Sequence, residues 1–76
     1  MKVGEHIMLR PTNKAQRRTK NRIRENGESG FIVIVPHEQP RCLEQRPALL
    51  VESVGSAWRG WLPHEEIEVE VKNESG

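Results

Sequence analysis

The sequence predicts an all-β fold of about five short strands in one small domain. Short apolar runs alternate with charged residues at a period of two, as in Ile67-Glu68-Val69-Glu70-Val71. Glycine and proline residues punctuate the chain between these runs. At 76 residues the chain has room for one core and no second domain. Residues 1–72 are read as that domain and 73–76 as a frayed tail.

The first strand is placed at residues 5–10, because Val3, Ile7 and Leu9 share one parity while His6 and Arg10 take the other. Pro11 removes a ladder donor, and Thr12-Asn13 supplies turn chemistry. The basic stretch Lys14 to Glu25 offers only Ala15 and Ile23 as an apolar stripe. A full helix would therefore bury little, and the expectation is a long first loop with one helical turn near Asn21–Glu25, ended by Asn26-Gly27. After the turn Gly27-Glu28-Ser29-Gly30, the run Phe31–Val35 is too short and too β-branched for a helix, so residues 31–36 form the central strand. Pro36, Pro40 and Pro47 punctuate a polar loop. Residues 48–54 and 58–62 read as an antiparallel hairpin about Gly55-Ser56, with Glu52 facing outward. Pro63-His64-Glu65-Glu66 is a short helical turn, and residues 67–71 are the last, half-buried strand.

The formal net charge of +1 conceals a division along the chain. Residues 1–24 carry eight cations against Glu5 alone, a net of +7, whereas residues 25–76 carry four cations against ten glutamates, a net of −6. Such separation gives a basic face suited to anions, unless folding brings the halves together. The longest apolar run is five residues, far short of the roughly 20 needed to span a bilayer. The start Lys2-Val3-Gly4-Glu5-His6 lacks the apolar stretch of a signal peptide, and Cys42 has no partner for a disulfide, so a cytoplasmic protein is expected.

Gly60-Trp61-Leu62-Pro63-His64-Glu65-Glu66-Ile67-Glu68 resembles the Src homology 3 signature of Gly, aromatic or Leu, bulky apolar, Pro, two polar residues, Tyr and Val. Val3-Gly4-Glu5-x-Ile7-x-Leu9 is similar to the first strand of many bacterial and phage barrels of this kind, including those with KOW motifs. The resemblance implies a five-stranded Src homology 3-like barrel with a long first loop and a helical turn before the last strand. It also implies that Trp61 is partly exposed, Leu62 buried and Trp58 in the core. The peptide-binding members use a tyrosine-rich groove, yet this chain has no Tyr, Glu66 stands at the signature tyrosine, and Ala48 stands where the third strand would open with a tryptophan. The resemblance therefore carries a fold and argues against proline-rich peptides as ligands, which should bind no better than about millimolar.

Lys14, Arg17, Arg18, Lys20, Arg22 and Arg24 place six cations within eleven positions with no acid between them. Guanidinium forks match phosphate oxygens, so this segment suits a nucleic-acid backbone or another polyanion. With only three aromatic residues, Phe31, Trp58 and Trp61, base stacking beside the basic segment is not expected. An alternative is a protein-interaction or assembly surface, for a protein partner or a homo-oligomer, at Arg59 and Trp61, residue types enriched at hot spots. His6, His37, His64 and Cys42 fall at no metal-ligand spacing, and Glu65-Glu66 beside His64 reads as solvated charge rather than acid–base machinery. No catalysis, metal or cofactor is expected: the chain reads as a binding module.

Overall fold

A computed structural model describes residues 2–71. The five strands are β1 (His6–Pro11), β2 (Phe31–Glu38), β3 (Ala48–Ser53), β4 (Arg59–Pro63) and β5 (Ile67–Val71). A helix, α1 (Arg17–Asn26), follows β1, and two 3₁₀ turns lie at Arg41–Leu43 and His64–Glu66. All strands pair antiparallel in one sheet of order β4-β3-β2-β1-β5. The last strand thus returns beside the first, with Leu9 opposite Val69 and Pro11 opposite Ile67.

Laid flat, five strands would hold β4 and β5 about 19 Å apart, at roughly 4.8 Å per step. The chain joins those two edges with the three residues His64–Glu66, which at about 2 Å per residue reach well under 10 Å. The sheet must curl to bring its edges near one another. β2 makes the bend: its register on β3 shifts between Val33 and Val35 and again before Glu38, so the strand kinks and twists at bulges. Pro36, with no donor to offer, falls in this interrupted part. β4 and β5 share no ladder among the described residues, so the sheet is barrel-like but open.

Inside the curl, Ile7, Leu9, Ile23, Phe31, Val33, Leu49, Val51, Leu62 and Ile67 form one core, with Trp58 and Val69 packed against it. The parity of β1 holds for Ile7 and Leu9 but not for Val3, which precedes the strand and is 69% exposed. Trp58 sits at the rim of the core rather than within it. Its ring meets Phe31 edge-on at 6.1 Å and lies over Gly60, where a β-carbon would be 2.5 Å from Cζ2. β5 loses cover toward its end, where Val71 is 51% exposed. The expected frayed tail, 73–76, lies outside the described residues.

Two segments also depart from expectation. The segment 36–47 is not loop throughout, since β2 continues to Glu38 and a 3₁₀ turn forms at Arg41–Leu43, followed by Glu44 and Gln45 at φ 55° and 62°. More consequentially, the basic stretch is not a long loop with one turn near Asn21–Glu25: Arg17–Asn26 is an unbroken ten-residue helix. Its buried stripe is Thr19 and Ile23, one turn apart, and not Ala15 and Ile23 alone. The stop at Asn26-Gly27 is where the sequence places it, with the Gly27 N–H donating to the Ile23 carbonyl at 2.8 Å. No described helix is long and apolar enough to cross a membrane.

Candidate functional site

The start of α1 is chemically awkward. It has no acidic residue in its first turn and no side chain of its own capping it, while Arg17 and Arg18 add positive charge at the positive end of the helix dipole. Glu66 resolves this from the far side of the sequence. Its carboxylate Oε1 accepts the Gln16 N–H at 3.0 Å and the Thr19 hydroxyl at 2.7 Å, and its Oε2 accepts from the Arg46 guanidinium at 3.2 Å. Arg46 also donates to Glu65 at 2.9 Å. The backbone reinforces the junction, because the Thr12 N–H donates to the Glu66 carbonyl at 2.9 Å and the Thr12 hydroxyl to the Glu65 carbonyl at 2.9 Å. At the other end of the helix, the Ser53 hydroxyl donates to the Asn26 carbonyl.

Glu66 is therefore not the solvated charge that the sequence suggests; it is buried, with 2% of its surface exposed. Burial is the largest single influence on its acidity and pushes its pKa up. The hydrogen bonds from Gln16, Thr19 and Arg46, with the Arg46 charge, together outweigh burial and hold Glu66 below the ordinary carboxylate range. Arg46 is held above its ordinary value, chiefly by the Glu65 hydrogen bond and further by Glu66, against a smaller opposing effect of desolvation.

With Thr19 and Ile23 turned inward, a helical step of about 100° per residue fixes where the cations go. Arg18 and Arg22, one turn apart, lie on one flank, and Arg17, Lys20 and Arg24 on the other. Lys14 precedes the helix on an exposed turn. All six are exposed, and none forms an ion pair with a described acidic residue. Four glutamates pair with other cations: Glu70 with Arg10 at 3.6 Å, Glu65 and Glu66 with Arg46, and Glu52 with Arg59 at 3.2 Å. Arg24 reaches only the Asn21 side-chain oxygen, at 3.1 Å.

Between α1, the Arg41–Leu43 turn and β4 lies an open cleft of about 210 Å³. Arg18 and Arg22 stand on its helix side, Leu43 and Arg46 on the turn side, and Trp58, just before β4, with Trp61 and Leu62 of β4 on the sheet side; Glu66 also lines it. The fold thus puts two tryptophans beside the basic helix, where the sequence led us to expect no aromatic neighbour. It also separates Arg59 from Trp61. Trp61 is half-buried and lines the cleft, whereas Arg59 is engaged across the strand pair with Glu52 and does not line it.

Trp58 and Arg46 were missed from sequence as cleft residues. For Trp58 a signal existed, since Gly60 leaves room for a ring two residues earlier, but nothing near Arg46 in the chain marks its distant partners. The histidines make local contacts. His6 bonds the Ser29 carbonyl at 2.8 Å, His64 bonds the Pro36 carbonyl at 3.1 Å, and His37 stacks on His64 with centroids 5.4 Å apart. Among the described residues no group of three or more His, Cys, Asp or Glu side chains converges as a metal site would require. No family model matches the chain, and no curated protein or solved structure matches it either.

Proposed function

We propose that this chain is a non-catalytic module that binds nucleic acid or another polyanion through the exposed cations of α1 and Lys14, carried on a Src homology 3-like barrel. The strand order with β5 beside β1, the short turn joining the two sheet edges, and the signature residues Gly60 to Ile67 support that reading of the fold. One observation carries the function: six cations within eleven positions remain without a described acidic partner, while Arg10, Arg46 and Arg59 each have one. A cluster of unpaired cations on one element suits a surface for phosphates.

Salt provides the test. With three to five phosphates neutralised, the logarithm of the association constant for a single strand should fall with log salt at a slope of roughly −2 to −3.5. Between 50 and 200 mM that is a loss of about twentyfold to a hundredfold. Arg17→Ala combined with Lys20→Ala, both exposed and on the flank away from the cleft, should flatten the slope by about one unit without altering base preference. Absence of binding to RNA and DNA at 50 mM salt would sink the proposal. A protein-contact surface at Arg59 and Trp61 is the second reading, and it draws support from Trp61 alone, because Arg59 is already held by Glu52.

A further inference from the structure

We infer that the cleft between α1 and β4 seats a nucleobase against Trp61, so that the module prefers single-stranded to duplex nucleic acid. The inference rests on the polyanion reading and adds to it a ligand class and a site.

Three features of the cleft point to this occupant. Its wall is aromatic and apolar, formed by Trp58, Trp61 and Leu62, with Leu43 opposite. A planar heterocycle gains there from stacking without a demand for particular hydrogen bonds. Its helix side is lined by Arg18 and Arg22, one turn apart, and neither has a described acidic partner. These guanidinium groups are placed to meet the phosphates on either side of an inserted base. Finally, the only carboxylate lining the cleft among the described residues, Glu66, is saturated by Gln16, Thr19 and Arg46. Against Arg18, Arg22 and Arg46 it leaves the lining with a net charge of +2, which complements a phosphodiester chain and would repel a basic peptide.

In a duplex the bases are stacked inward, and their faces cannot reach a side chain without unpairing, which costs a few kcal/mol. A single strand offers those faces directly. The flank carrying Arg17, Lys20 and Arg24 has no aromatic neighbour in this cleft and serves only as an extension of the phosphate track. Discrimination between strand types is therefore assigned to the cleft flank alone.

The test titrates the full chain with a single-stranded DNA oligomer, the duplex of the same length and inorganic polyphosphate for affinity, and uses Trp58→Phe, which keeps a ring in the cleft wall, only to read the emission of Trp61 alone. Stacking is worth about five- to a hundredfold per base, so the single strand should bind roughly tenfold tighter than the duplex and should quench Trp61 emission. Polyphosphate should bind without that quenching. Trp61→Ala should bring the ratio of single-strand to duplex affinity down toward one, whereas Trp61→Phe, which keeps a ring, should retain most of the preference. Should the alanine variant fold poorly by circular dichroism, the phenylalanine variant and the quenching still decide the matter. Equal affinity for single strand and duplex with no change in Trp61 emission would overturn the base site and leave the basic helix as a phosphate surface. Failure to bind any of the three ligands would overturn the polyanion reading itself.

Discussion

Glu66→Ala should lower the stability of the domain by roughly 3 kcal/mol, because it strands the Gln16 N–H and the buried Thr19 hydroxyl and removes an anion from the start of a basic helix. The Arg46 side chain is 34% exposed and keeps Glu65, so the ion-pair share of that loss is small and the hydrogen bonds dominate. A domain of this size holds on the order of 4–11 kcal/mol in total. The melting temperature should accordingly fall by about 12–24 °C, with helical ellipticity lost ahead of the sheet signal. Glu66→Gln, which retains an acceptor but not the charge, should cost roughly half as much. The same carboxylate sets a pH dependence. Its pKa is lower in the folded chain than in the unfolded one, so its stabilisation is complete above about pH 4.5 and drains away as pH falls through the folded value. Urea midpoints measured from pH 7 to pH 2 should show an acid limb that is flatter in Glu66→Gln. Identical acid limbs in parent and variant would rule out this role for Glu66.

Gly30→Ala should cost about 2–4 kcal/mol for two separable reasons. Gly30 has φ +88°, where a β-carbon is strained, and that carbon would lie 2.6 Å from His6 Nε2, 2.8 Å from the Ile7 carbonyl oxygen and 2.9 Å from Met8 Sδ. The two side chains can swing aside, but Ile7 is fixed opposite Phe31 in the β1–β2 ladder, so backbone must move. Gly55 supplies the control: its φ is +94°, yet the nearest atom to a β-carbon there is 3.9 Å away. Gly55→Ala should therefore show the strain alone, about 1 kcal/mol, and chemical denaturation of the two variants separates strain from collision. Equal losses at the two positions would mean that the close approach of β1 to Gly30 has no energetic weight.

The strands were legible because each buries one face, and a period of two survives in a sequence whatever the strand pairs with. The observed limits fall within two residues of those read from Phe31–Val35, Ala48–Val54 and Ile67–Val71, and the turn after Pro63 stands where expected. The helix was misread because half of its buried stripe is a threonine. Thr19 looks solvent-facing in sequence, and it can be buried only because Glu66, 47 residues later, accepts its hydroxyl. Glu66 was misread for the complementary reason, since it falls in step with Glu68 and Glu70, both of which are exposed. Charge segregation showed that residues 14–24 were basic. Only the rotation of the helix, fixed by Thr19 and Ile23, shows that Arg18 and Arg22 turn toward Trp61 while their neighbours turn away.

A helix whose opening hydrogen bonds come from residue 66 cannot be completed while that part of the chain is missing. During vectorial synthesis the segment Arg17–Asn26 emerges early, with like charges four apart and nothing to neutralise its first turn. Its cap is supplied only after roughly forty more residues, when Glu66 can receive the Gln16 N–H and the Thr19 hydroxyl. The basic segment thus precedes in the chain, by about forty residues, the carboxylate that caps it as a helix. With the Glu66 junction closed, the helix is held in the rotation that brings Arg18 and Arg22 to face Trp61.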